Sequence, residues 1–255
     1  MFHEHAWPSS SQLEFEARRM HATPGAGALA DLAPAMVLSA LPEAFDFCTV
    51  AVAAVVVFPR VFFPGLSLAG AIAAGLAVLA LAPAARWLLS PLFAPVRRRH
   101  GRGVCLTAAR VMLGTSTAAI AFLPDAGQAS LAATLLLLGC RSAQGVAMAG
   151  LADGRAGQRA IGHRAERGLR LAIRALTGVI GLAAAGGLFA VMAAVLNWSD
   201  FAQWGWRYPF VAAIALNTVG LFADLRLLIT VRASRPDARP ARLATVGGVE
   251  VGVSD

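Results

Sequence analysis

Residues 130–152 read SLAATLLLLGCRSAQGVAMAGLA, a run of 23 residues whose one charged side chain is Arg141. At 1.5 Å per residue, a helix of that length matches a hydrocarbon core about 30 Å thick. A helix that is apolar all round belongs in the core of a large protein or in a bilayer. The rest of the chain decides between these. Comparable stretches occupy 32–58, 66–89, 104–123, 171–196 and 208–231, with turn signals at Pro64-Gly65, at Pro124-Asp125 and from Asn197 to Asp200. Of 255 residues, 58% are hydrophobic and 14% charged, whereas a soluble domain carries about a quarter charged. The mean hydropathy is +0.66. The expected fold is therefore all-α: a polytopic membrane protein with a six-helix bundle over 32–231, an N-terminal tail over 1–31 and a flexible tail over 232–255.

The net charge of +8 does not point to nucleic acid, because a binder gathers its cations on one footprint. Here all 22 basic residues are arginines set between apolar runs. Their placement instead predicts orientation, since cytoplasmic loops hold the excess of positive charge. Arg18 and Arg19 precede the first helix, Arg97, Arg98, Arg99 and Arg102 follow the second, and Arg155, Arg159, Arg164, Arg167 and Arg170 follow the fourth. Arg232, Arg235, Arg239 and Arg242 close the chain, and only Arg60 and Arg207 fall on the other side. Both termini are expected in the cytoplasm. Residues 1–31 lack a sustained apolar stretch, so no cleavable signal is expected there and the first helix directs insertion. Cys48, Cys105 and Cys140 form no C-x-x-C and read as small hydrophobes.

Four strings in register carry a family likeness. Trp204-Gly205-Trp206-Arg207-Tyr208-Pro209-Phe210 resembles the W-G-W-R-x-P-F that opens helix six in the metabolite:proton symporter family of the major facilitator superfamily. Glu43-Ala44-Phe45-Asp46-Phe47 is similar to its E-W-Y-D-F in helix one, followed by Phe62-Phe63-Pro64. Arg141-Ser142-Ala143-Gln144-Gly145 resembles its R-x-x-Q-G in helix four, and Gly101-Arg102 the end of its loop between helices two and three. The chain departs from the family at Ala94, Arg98 and Gly103 in that loop, at Trp87, at Leu151-Ala152 and at Ala175.

The resemblance is to the N-terminal half of such a transporter, six helices in a 3+3 inverted repeat, where a full transporter has two halves around a midplane site. It implies proton-coupled transport of a small organic acid or betaine-like zwitterion in the cell inner membrane. The implied partners are a second half, or another copy of the chain. A truncated, non-transporting remnant or scaffold is the alternative. It further implies structural roles for Gly101, Arg102, Gly145, Trp204, Gly205, Trp206, Arg207 and Pro209.

Glu43 and Asp46 are three apart and share a helix face. Acids inside a membrane are costly and mark function by default, and a buried carboxylate can exchange protons near neutral pH. Together with the family match, this makes Glu43 and Asp46 candidates for proton or substrate binding. Arg141 and Gln144 share a face as well. The guanidinium is expected to meet either Asp46 or Glu43 in an ion pair, or an anionic ligand through its fork. An isolated bundle is expected to turn Asp46, Arg141 and Gln144 toward lipid.

For Arg86, Arg174, Asp224 and Arg226, near helix ends, the reading is that they reach out to the headgroups. Arg110, where the family has an apolar residue, reads as a charge without a partner. Gly178, Gly181, Gly186 and Gly187 are expected to let helix five approach its neighbours closely. His3, His5, His21, His100 and His163 all fall in tails or loops, and Ser116 sits in no G-x-S-G. No catalytic residue, metal site or cofactor is expected, because intramembrane nucleophilic catalysis needs a base inside the membrane.

Overall fold

The expected helices appear in order in the computed structural model, which describes residues 26–124, 126–154 and 164–233. The long helices are α1 (Ala26–Val56), α2 (Leu68–Leu89), α3 (Phe93–Ala121), α4 (Ala126–Gly154), α5 (Arg164–Val195) and α6 (Tyr208–Ala233). Short helical turns at Phe58–Val61, Ser90–Leu92, Trp198–Gln203 and Gly205–Arg207 join them. By length and composition, five stretches among the described residues qualify as membrane spans, one of which, Leu68–Ala121, runs for 54 residues. A straight helix of that length would reach about 80 Å, more than twice the hydrocarbon core. It divides in two at the Ser90–Leu92 turn, giving six crossings.

A second break lies inside α3. Gly101 adopts φ 84 and ψ 173, the one positive φ among the described residues. Side chains other than glycine's almost never occupy that region. Gly101 thus turns the arginine-bearing segment 93–100 away from the membrane part of α3. This is the physical content of the Gly101-Arg102 match, and Arg102 itself is exposed.

Polarity is distributed inside out relative to a water-soluble protein. Trp87, Leu88, Phe122, Leu131, Leu171, Val179 and Phe222 are exposed, while Asp46, Thr117, Arg141, Gln144, Arg110 and Asp224 are buried. The expectation that an isolated half turns Asp46, Arg141 and Gln144 to lipid is therefore wrong, because each is 0% exposed inside this one bundle. Helices α3 and α4 on one side and α1 and α6 on the other close over them.

Close approach of α2 and α4 depends on Gly145, where a Cβ would collide with the Ala82 carbonyl oxygen and crowd the Ala85 side chain. Of the four α5 glycines expected to allow close approach, Gly181 alone packs tightly, its Cβ position lying 3.1 Å from the α1 backbone at Ala44 and Phe45. Gly178, Gly186 and Gly187 have open space there. The Cys48 thiol donates to the Gly178 carbonyl at 3.7 Å.

At the end opposite the arginine-rich loops, an aromatic cluster holds the bundle. Trp206 is fully buried and meets Phe62 and Phe210 edge to face, with centroids 6.1 Å and 5.8 Å apart. Arg207 stacks over Trp206 and donates from Nη2 to the Leu123 carbonyl at 2.8 Å, tying the start of α6 to the end of α3. Gly205 and Pro209 are buried, and Trp204 lies half open against Tyr208. Pro209 fits the first turn of α6, where a missing N–H is harmless.

Candidate functional site

The centre of the bundle holds a polar network drawn from four helices. Asp46 of α1 is fully buried. Its Oδ1 accepts from the Thr117 hydroxyl of α3 and from Asn217 Nδ2 of α6 at 3.3 Å, and its Oδ2 accepts from Gln144 Nε2 of α4 at 3.3 Å. Gln144 Nε2 also donates to Thr117 Oγ1 at 2.9 Å. The Thr117 hydroxyl has one proton, which Asp46 shares with the Leu113 carbonyl at 2.9 Å. A buried charge needs such compensation, since leaving it unmet in an apolar surround is prohibitive.

Arg141 approaches from the far side. Its Nη1 donates to Gln144 Oε1, its Nη2 to the Leu79 carbonyl at 3.0 Å and its Nε to the Val78 carbonyl at 3.4 Å, both on α2. The guanidinium and the Asp46 carboxylate are thus joined through the Gln144 amide, which accepts from one and donates to the other. Spacing on α4 makes this possible, because residues three apart stand one above the other on a helix. Of the four sequence candidates, Asp46, Arg141 and Gln144 come together. Glu43 lies half-buried one turn earlier on α1.

Two members went unread in the sequence, Thr117 and Asn217. A strongly polar amide in the apolar middle of α6 was the available signal for Asn217, since such a group must find partners inside the bundle. Its Oδ1 is buried with no hydrogen-bond partner.

Arg110 was also misread. It is 1% exposed and has a counter-ion in Asp224: Nη2 and Nε donate to Oδ2 at 2.7 Å and 3.0 Å. Asp224 is 2% exposed and accepts from Ser39 Oγ at 2.8 Å, so it does not reach toward the headgroups. The partners stand 114 residues apart in sequence, which is why neither was legible from its own neighbours.

Comparison with known proteins gives a consistent picture. The chain is 34% identical over 192 residues to the inner membrane metabolite transport protein YhjE of Escherichia coli, covering 72% of this chain and 42% of that protein. It is 27% identical over 164 residues to a proline/betaine transporter of Salmonella typhimurium, covering 64% of this chain and 33% of that one. Among solved structures it matches the proton:xylose symporter XylE, of the major facilitator superfamily, bound to 6-bromo-6-deoxy-D-glucose. That match has a TM-score of 0.57 and 18% identity over 76% of this chain and 44% of that one. The chain spans less than half the length of these relatives. No family model matches it.

Proposed function

We propose that this chain, which shares the fold of a major facilitator superfamily symporter over 76% of its length, is one half of a secondary-active, proton-coupled transporter for a small organic acid or zwitterion. The proteins it resembles are transporters, not enzymes. The observation that carries the reading is the Asp46 carboxylate, fully buried and held by the neutral donors of Thr117, Gln144 and Asn217, with Arg141 one amide away.

Such a carboxylate has two states with different needs. Ionised, it accepts three hydrogen bonds. Protonated, it carries a donor of its own and requires an acceptor. Rotation of the Asn217 amide would supply Oδ1, the acceptor that lacks a partner. Loss of the negative charge would also weaken the hold of Gln144 on Asp46 and free Arg141 for a carboxylate ligand, which suits its planar fork. Proton uptake and anion binding would then be linked through one glutamine.

Alternating access rocks one bundle against another around a midplane site. The reading therefore includes a second bundle, either another copy of this chain or a separate half. Function is tested by reconstituting the chain with a complementary half from a relative and imposing a proton gradient. Uptake of carboxylates or zwitterions is expected, falling to background in Asp46→Asn. Accumulation that persists in Asp46→Asn would remove Asp46 from the coupling step.

Orientation follows the arginine partition, with both termini cytoplasmic. Periplasmic reporter fusions after Gly65, Asp125 and Trp204 are expected to be active, and those after His100 and His163 silent. Activity after His100 would overturn this topology.

A further inference from the structure

The two buried polar groups share three helices, α1, α3 and α6, at a constant offset. Seven residues separate Ser39 from Asp46 on α1, Arg110 from Thr117 on α3 and Asn217 from Asp224 on α6. Seven residues are two helical turns, about 10 Å along the axis, and return to nearly the same face. The bundle therefore holds two stacked polar layers. The upper is the Asp46 network. The lower, nearer the arginine-rich end, is Ser39, Arg110 and Asp224.

The lower layer is charge-balanced, with Arg110 Nη1 left buried without a hydrogen-bond partner. Arg110 donates twice to Asp224 Oδ2, Ser39 Oγ donates to Oδ1, and Arg110 Nη2 also reaches the Ser39 backbone carbonyl at 3.0 Å. It ties α3, α6 and both the side chain and the backbone of α1 at one point. Between the layers on α1 stands Pro42, buried and inside the helix. Proline supplies no N–H, so the hydrogen-bond ladder of α1 is interrupted in the turn that connects the layers. Gly220 of α6 faces this interruption. A Cβ there would lie 3.0 Å from Pro42 Cγ and 3.3 Å from Arg110 Cζ and Nη1. The glycine lets α6 press against the proline and the guanidinium together.

Resting on the reading of Asp46 as the working carboxylate, we infer that Ser39, Arg110 and Asp224 form a clasp that positions α1 across the Pro42 turn and so sets where Asp46 meets Thr117 and Asn217. The three are positioning residues. Without the clasp, the weakened turn leaves the upper part of α1 held by the upper layer and by its packing against α5 and the apolar core. The Asp46 carboxylate would then leave its partners more often.

The test uses the full chain in detergent and reads the rate at which an apolar carbodiimide modifies Asp46, located by peptide mass spectrometry, beside the melting temperature. In Arg110→Leu/Asp224→Leu both charges are replaced by apolar groups, so that neither partner is left buried as an unpaired charge. This variant is expected to fold and to show modification at Asp46 faster by about tenfold, as for a buried group whose local opening has become easier. Gly220→Ala keeps every clasp residue and pushes Pro42 and Arg110 by a few tenths of an ångström. It is expected to fold and to give a smaller rise at the same residue. An unchanged Asp46 rate in either folded variant would reduce the layer to a stabilising pair and overturn the inference. If instead Asp46→Asn leaves uptake intact, the transport reading falls, while the clasp still stands or falls on the modification rate.

Discussion

Replacing Arg110 with alanine is expected to remove most of the folded protein from membranes. The substitution strips Asp224 of its counter-ion while Asp224 stays 2% exposed, and breaking one side of a buried pair costs about 3–5 kcal/mol. That is a large share of the 5–15 kcal/mol that holds a typical domain together. The loss is expected as a collapsed monodisperse peak in size-exclusion chromatography of solubilised membranes. Asp224→Asn should recover part of it in the Arg110→Ala background, because the orphaned charge is then gone. Normal yield of the Arg110→Ala protein would mean that the pair is not formed in the membrane.

The second large effect concerns Arg141. Alanine there leaves Gln144 Oε1 without its charged donor and removes the cation nearest to Asp46 on the Gln144 side. Losing a buried hydrogen-bond partner costs about 1–3 kcal/mol, more when the group is charged. Folded protein should fall, and the double variant with Asp46→Asn should regain much of it, since the carboxylate no longer needs a nearby cation. Additive losses in the double variant would show that the two residues do not communicate through Gln144.

These predictions also mark what was legible in the sequence. Helix number and order followed from apolar length, because a bilayer imposes a minimum of about 20 residues on each crossing. The Gly101, Gly145 and Trp206 motifs each turned out to have a local cause: a positive φ, a contact with the Ala82 backbone and an aromatic cluster. Asp46, Arg141 and Gln144 were visible because charges and amides are rare inside apolar runs. Contacts between helices were not. Arg110 looked unpartnered because Asp224 lies three helices further along, and Asp224 looked like a helix-end residue for the same reason. The seven-residue offset between the layers has meaning only once it is known which helices touch. The supposed exposure of the polar site failed because the bundle closes over those residues without help from a second half.

That last point separates stability from transport. The charges of the site find their partners inside a single bundle, whereas solute movement, as proposed, needs a second bundle to move against. The most direct test compares purified chain, its mass determined in mild detergent, with chain assembled with a complementary half, both in proteoliposomes under a proton gradient. Accumulation is expected only in vesicles whose protein has at least twice the 26.4 kDa mass of one chain. A chain that stays a stable, inactive monomer in the presence of each half would favour the non-transporting remnant, and a monodisperse monomer that accumulates solute against its gradient would rule out the need for a second bundle.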